Sequence, residues 1–305
     1  MYRIRFHGRG GQGIKTAGRI LGTTFFLEGF EVQDAPLYGA ERRGAPLFAY
    51  VRAAHKPINE RGVIRNPDLV VVADDTLLAV PAAGVLLGVT AHTVLLIDSF
   101  QPAETWRQRL QLPGRLLVLP AAAEVEDRAV LPYSGAICAG AAARLIGLRR
   151  GALEQAIGEE LAGAGPAVIQ RDLEQALAAY DRMAEHAGSV GQGETPPAGA
   201  YSPPAWVELP LDDVGLAAPD IHGAATSVQV RTGLWRTMRP VIDYHYCRQC
   251  LACATFCPDG AIQVVEGQPY IDYDHCKGCL ICVVQCPYHA MTALPEHRAV
   301  AEAAA

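Results

Sequence analysis

The chain opens with Tyr2, Ile4 and Phe6 alternating with Arg3 and Arg5, the period of two that marks a β-strand. Glycines follow between Gly8 and Gly13. The apolar positions then change step to Ile14, Ala17, Ile20, Leu21 and Phe25, the spacing of one helix face. Strand, glycine-rich turn and helix are predicted in that order. Leu47–Val51 reads as another strand, and Leu69–Val72, Thr93–Ile97 and Leu116–Leu119 are short, unbroken apolar runs with helical stretches between them. Such runs belong to strands buried on both faces, so this part predicts an α/β domain with a mainly parallel sheet. Helices are predicted over Ser134–Leu148, over Ala152–Leu161 and over Ala167–His186, the last with Val168, Leu173, Ala176, Leu177 and Tyr180 on one stripe. One uncharged run, Thr76–Ile97, approaches the length of a membrane span. Pro81, Gly84, Gly88 and His92 break it, and a helix followed by a strand accounts for it.

Periodicity is lost at Gly188. From there to about Ala225 the chain turns to Gly, Pro, Ala and Ser, with Pro-Pro at 196–197 and 203–204. A domain at 1–187, a linker at 188–225 and a second domain at 226–305 are the divisions this implies. As a flexible coil the linker would span roughly 35 Å, enough to lay the second domain on another subunit.

The second domain holds eight of the nine cysteines in two copies of one phrase. CRQCLACATFCP carries Cys247, Cys250, Cys253, Cys257 and Pro258, and CKGCLICVVQCP carries Cys276, Cys279, Cys282, Cys286 and Pro287. Both read C-x2-C-x2-C-x3-C-P, the run that ligates a [4Fe–4S] cube, in which the fourth cysteine reaches across to the other cluster of a pair. Three close thiolates wrap one side of a cube, a fourth arrives from elsewhere, and the proline turns the chain away. One cluster is therefore expected on Cys247, Cys250, Cys253 and Cys286, the other on Cys276, Cys279, Cys282 and Cys257. Zinc favours two separated pairs of ligands and fits this spacing poorly, and disulfides suit neither the composition nor the chain start. After each run comes a related segment, PDGAIQVV and PYHAMTAL, so the domain reads as a duplicated, bacterial-type α+β ferredoxin. Ala261, Ile262, Ile281, Val283 and Val284 are expected to shield the clusters, and His245 and His275 lie beside Cys247 and Cys276.

With 305 residues, half of them apolar and 19% charged, the chain is globular and long enough for two domains. A net charge of −6 without a basic stripe argues against a nucleic-acid partner. The start, MYRIRFHGRGGQG, has no apolar run of the secretory kind, and a soluble, cytoplasmic protein without a membrane span is expected.

Other features have two readings. Gly8, Arg9, Gly10, Gly11, Gln12 and Gly13 form a loop before a helix, which suits an anion or simply a tight turn; it matches neither a Walker A loop nor G-x-G-x-x-G. Arg42 and Arg43, in a glycine-bounded turn, suit an anion, a partner's carboxylates or solvent. Asp74, Asp75 and Asp98 sit past strand ends as ligand groups or helix caps, the cap being favoured, and Cys138 reads as a small buried hydrophobe.

The stretches RFHGRGGQG (5–13), YGAERRGAP (38–46), KPI (56–58) and NPDLVVVADDTLL (66–78) resemble the gamma subunit of 2-oxoacid:ferredoxin oxidoreductases. TGLWRTMRPVID (232–243), running into the cysteine motifs, resembles the delta subunit, so the chain looks like a gamma–delta fusion. The resemblance implies partner alpha and beta subunits carrying thiamine diphosphate, Mg and a further [4Fe–4S] cluster, with decarboxylation there and electrons passing through this chain to ferredoxin or a similar carrier. It implies coenzyme A as co-substrate, and it points to Gly8–Gly13, Arg42 and Arg43 as contacts to coenzyme A or the active-site entrance. Alternatives are a non-CoA member such as oxalate oxidoreductase, the electron-transfer subunit of another redox complex, or a nucleotide-binding enzyme using the glycine loop.

Overall fold

The computed structural model describes residues 1–37, 44–80, 83–120, 133–193 and 231–296. These fall into two compact units that divide between 193 and 231. In the first, the strands are β1 (Tyr2–Arg9), β2 (Glu31–Leu37), β3 (Pro46–Ala54), β4 (Leu69–Val72), β5 (Val94–Ser99) and β6 (Arg115–Pro120). They form one sheet in the order β2-β3-β1-β4-β5-β6. β1, β4, β5 and β6 pair in parallel, and β3 adds antiparallel to β1 with β2 antiparallel beyond it. The sheet is thus mainly parallel, as expected.

The unbroken apolar run of β4 feeds two cores. Leu69 and Val71 join Ile4, Phe6 and Leu96 under a layer of helices, α1 (Ile14–Leu27), α3 (Gly135–Ile146), α4 (Arg150–Glu160) and α5 (Pro166–Arg182). Val70 and Val72 join Leu95, Ile97 and Leu77 on the other face, beneath Trp106 of α2 (Ala103–Leu110). β1 behaves differently, because its polar positions do not meet water. Arg3 and Arg5 are each 2% exposed. Arg3 shares Glu60 with Arg52 at 3.0 and 3.1 Å, while Arg5 donates to Ile64 O at 3.2 Å and Val85 O at 2.8 Å.

The run from Thr76 to Ile97 departs from the expected helix and strand. One 3-10 turn at Asp75–Ala79 is followed by irregular turns and then β5. Gly84 and Gly88 sit at φ 55° and 69°, outside the helical region, and a Cβ on Gly88 would stand 1.7 Å from Arg65 O. Among the described residues no helix is long and apolar enough to cross a membrane.

α3 and α5 approach closely at Gly140, where a Cβ would lie 2.1 Å from Ala176 O. Gly140→Ala is expected to push the helices apart and cost about 1–3 kcal/mol, seen as a lowered thermal unfolding midpoint of the full chain. The first residues read as linker stay packed on this unit. Gly188 N and Val190 N donate to Arg144 O and Leu145 O at 3.2 and 3.0 Å, and Val190 is buried. The rest of the linker, 194–225, lies outside the described residues.

The second unit repeats itself. β7 (Met238–Ile242) pairs antiparallel with β10 (Met291–Pro295), and β8 (Ile262–Val265) with β9 (Gln268–Ile271). The two four-residue helices α6 (Ala252–Thr255) and α7 (Ile281–Val284) lie inside the cysteine runs. Leu251 and Leu280, at φ 59° and 61°, start the two helices with the same left-handed turn.

Candidate functional site

At the carboxyl ends of β1 and β4 the chain leaves the sheet toward opposite faces, which is where an open α/β sheet offers a ligand crevice. Here its own side chains fill much of the space. Arg9 is buried, with Nε 3.0 Å from Asp74 Oδ2, Nη1 donating to Gly44 O at 3.0 Å and Nη2 to Thr76 Oγ1 at 2.9 Å. Asp74 caps the 3-10 turn by accepting from Thr76 N at 3.0 Å. Gln12 is also buried, its Oε1 accepting from Arg9 N at 2.7 Å. Gly13 takes φ 81°, and a Cβ there would stand 2.4 Å from the Tyr133 ring. Gly8 is equally confined, by Ile14 Cδ1 at 2.4 Å from its would-be Cβ. Gly11 is left exposed and Gly10 half-buried. Arg42 and Arg43 lie outside the described residues.

Beside this crevice Ser99 Oγ donates to Asp75 Oδ2 at 2.6 Å and accepts from Trp106 Nε1 at 3.0 Å. Burial and then the carboxylates of Asp75 and Asp74 push the Asp98 carboxyl up to about 7, against the opposing pull of Arg182. A carboxyl raised above its unfolded value of 3.8 binds its proton more tightly in the folded state. Its contribution is therefore present below about pH 4 and lost as pH rises through 7. Asp98→Asn is expected to flatten that decline and to stabilise the chain at pH 8 by roughly 2 kcal/mol, measured by thermal melts at pH 5 and 8. Cys138 is fully buried, and burial, then Asp98, hold its thiol well above the usual range, so it packs as an inert hydrophobe.

In the second unit the two cysteine runs edge two cavities. Cys247, Cys250 and Cys253 line the first together with Cys286 from the other run. Cys276, Cys279 and Cys282 line the second together with Cys257. The crossing follows from the short helices: each carries its run's third cysteine, Cys253 or Cys282, inward, and the chain then delivers the fourth to the opposite side. The thiols border open space rather than one point; among the described residues no three His, Cys, Asp or Glu side chains converge on a position for a single ion.

The donor set suits a cationic cluster. Burial, followed by neighbouring Cys276 and Cys279, pushes the Cys282 thiol up to about 12, and burial likewise raises Cys253 and Cys276. Burial disfavours the thiolate at these positions, and positive charge bound among them favours it. Ala290 N donates to Cys286 Sγ at 3.3 Å. Ile242, Leu251 and Met291 on one side, and Pro240, Ala261 and Ile262 on the other, give the cavities apolar walls. Of the expected shields, Ile281 lines the second cavity at 38% exposure and Val283 is half-buried, but Val284 is 79% exposed on the outer face of α7 and shields nothing. His245 packs edge-on to Tyr246, and His275 Nδ1 lies 2.6 Å from Asp272 Oδ2; neither is among the residues lining these two cavities.

Residues 3–182 match the family model described as pyruvate ferredoxin/flavodoxin oxidoreductase. The chain belongs to that family. Residues 239–297 match a second model, the 4Fe-4S dicluster domain, so an oxidoreductase domain of this family is joined to an iron–sulfur domain. Among curated relatives, the "Pyruvate/ketoisovalerate oxidoreductases common subunit gamma" of Pyrococcus furiosus is 37% identical over 165 residues, 53% of this chain and 88% of the relative. The "Pyruvate synthase subunit PorC" of Thermotoga maritima is 39% identical over 120 residues, 39% of this chain and 61% of the relative. A crystal structure of pyruvate oxidoreductase subunit PORC from Thermotoga maritima has 30% identity and a TM-score of 0.49, covering 59% of this chain and 95% of that one.

Sequence reasoning passed over one polar cluster in this family member. Arg236, Arg239, Glu296 and Tyr273 interlock beside the second cavity. The arginines stand in the stretch Thr232–Asp243, where no local pattern marks them as a cluster, because the closing partner, Glu296, lies 60 residues from Arg236.

Proposed function

We propose that this chain is the gamma–delta subunit of a thiamine-dependent 2-oxoacid:ferredoxin oxidoreductase. In this reading it conducts electrons from the decarboxylation site to ferredoxin or a similar carrier through two [4Fe–4S] clusters. The observation that carries the reading is the pair of cavities, each bordered by three cysteines of one run and the fourth of the other. Cys247, Cys250, Cys253 and Cys286 would hold one cluster, and Cys276, Cys279, Cys282 and Cys257 the other. A [4Fe–4S] cube supplies one-electron storage without proton chemistry. The chain's own part is to hold the sulfurs, exclude water with Ile242, Met291, Ala261 and Ile262, and donate from Ala290 N to a ligating sulfur.

The carbon chemistry, with thiamine diphosphate, Mg and a further [4Fe–4S] cluster, is assigned to alpha and beta subunits. The names of the gamma relatives, which describe subunits of pyruvate and ketoisovalerate oxidoreductases, support this. In the first unit the loop Gly8–Gly13, exposed at Gly11, with Arg42 and Arg43, is the proposed contact to coenzyme A or the active-site entrance. Arg9 and Gln12, engaged inside the loop, would shape it. Iron and sulfide near eight each per chain, and co-purification with thiamine-binding chains, are the expected results. A natural protein that runs as a free monomer without such partners would overturn the reading. Hydrogen exchange of the complex with and without coenzyme A tests the loop, where unchanged protection over 8–13 and 42–43 removes the contact.

A further inference from the structure

The two cysteine runs repeat each other, but their surroundings do not. The segment Thr232–Met238 crosses the loop of the second run. Thr232 Oγ1 donates to His275 O, and Gly233 N donates to Asp274 O at 2.8 Å. Arg236 then turns inward, its side chain 4% exposed, and its Nη1 donates to Tyr273 O at 2.7 Å and to Cys276 O at 2.6 Å. Gly278, at φ 71°, lies beneath it; a Cβ there would stand 2.4 Å from Met238 O and 2.6 Å from Arg236 Cγ. The matching position of the first run is Gln249, at φ 53° and exposed. A glycine is needed where the segment presses down, and a glutamine is tolerated where the position is exposed.

The charge beside the second cavity is therefore built in. Glu296 accepts from Arg236 Nε and Nη2 at 2.6 and 2.7 Å, and from Arg239 Nη2 at 2.6 Å. Arg239 lies over the Tyr273 ring at 4.3 Å. Burial opposes ionisation of Glu296, but the hydrogen bonds from both arginines outweigh it and hold the carboxyl below its usual range. Two guanidinium groups against one carboxylate leave one positive charge, and the group nearest Cys276 is almost fully withdrawn from water. The other lining charges do not offset it: Lys277 and Asp259 pair at 3.0 Å, and Arg248 at the first cavity is exposed, where solvent and salt screen it.

We infer that Arg236 makes the second cavity the more oxidising of the two cluster sites, so that a single electron entering the unit comes to rest beside Cys276 rather than beside Cys247. The inference rests on the reading that both cavities hold [4Fe–4S] clusters. Adding one electron to a cube increases its negative charge, and a desolvated guanidinium at the ligating cysteine favours that form. Arg236 acts as a positioning residue for charge, not as a ligand.

The test is a dithionite titration of the intact protein followed by electron paramagnetic resonance. Two reduction waves are expected, with the singly reduced form that carries its electron at the second site favoured at least tenfold over the other, which is 59 mV for one electron. Arg236→Met should lower the upper wave alone and bring the occupancies within about threefold, whereas Arg236→Lys should keep most of the separation. Glu296→Gln removes the compensating charge and should raise the same wave, a reversal of sign that loss of packing would not produce. It also decides the matter if Arg236→Met fails to fold. Equal shifts of both waves, a shift of the lower wave only, or no shift with Glu296→Gln would overturn the inference. Iron and sulfide far from eight per chain in the unaltered protein would instead overturn the two-cluster reading.

Discussion

Cys286→Ala is expected to halve the iron content, from about eight atoms per chain to about four, and to empty the cavity lined by Cys247, Cys250 and Cys253. The residue belongs to the second run, so reading the chain locally would predict loss of the other cluster. In space, Cys286 closes the first cavity while Cys257 closes the second. Paired substitutions separate the possibilities. Cys286→Ala combined with Cys247→Ala should still leave about four irons, because both ligands serve one site. Cys286→Ala combined with Cys276→Ala should leave almost none. Retention of about four irons by the second pair and loss from the first would show that each run closes its own cluster. Iron and sulfide analysis, with the visible absorption of the cluster, reads the outcome directly.

The crossed lining of the two cavities was legible in the sequence, since C-x2-C-x2-C-x3-C-P is a run whose fourth cysteine reaches across to the partner site. So were β4, β5 and β6, whose apolar runs are buried on both faces, and α3, whose alanines fill the space between the sheet and α5. Less legible was anything that depends on what lies opposite a residue. Arg3 and Arg5 alternate with apolar neighbours just as solvent-facing residues do, yet Glu60 and the carbonyls of Ile64 and Val85 cover them. Thr76–Ile97 has helical composition, but two left-handed glycines and the approach of Arg65 O impose turns. Val284 looks like a cluster shield in sequence, and its position at the end of a four-residue helix turns it outward. Arg236 and Glu296 meet only after β7 and β10 pair, with Arg239 opposite Leu294. Local pattern reports the elements; the long-range polar pairs that tune a site come from topology.

Arg9→Met is expected to cost about 3–5 kcal/mol of stability, more than any other single substitution in the first unit considered above. The side chains of Arg9 and Asp74 are 4% and 8% exposed and meet at 3.0 Å, so removing the guanidinium leaves a carboxylate deep in the crevice without its counter-charge. Gly44 O and Thr76 Oγ1 lose a donor at the same time. A buried pair is costly to break but not costly to replace, because the two desolvation penalties vanish together. Arg9→Met with Asp74→Leu should therefore recover most of the loss, and the double-mutant cycle on denaturant midpoints should show coupling of about 2 kcal/mol or more. This bears on function through the glycine loop. If Arg9 were instead held ready for an anion, Arg9→Met would leave the midpoint within about 0.5 kcal/mol and abolish protection by coenzyme A. The ion pair with Asp74, the bond from Arg9 N to Gln12, the bonds of Gly10 N to Ala45 O and of Gly44 N to Gly10 O, and the Tyr133 ring against Gly13 fix the loop from within, so its exposed backbone at Gly11 is presented in one conformation.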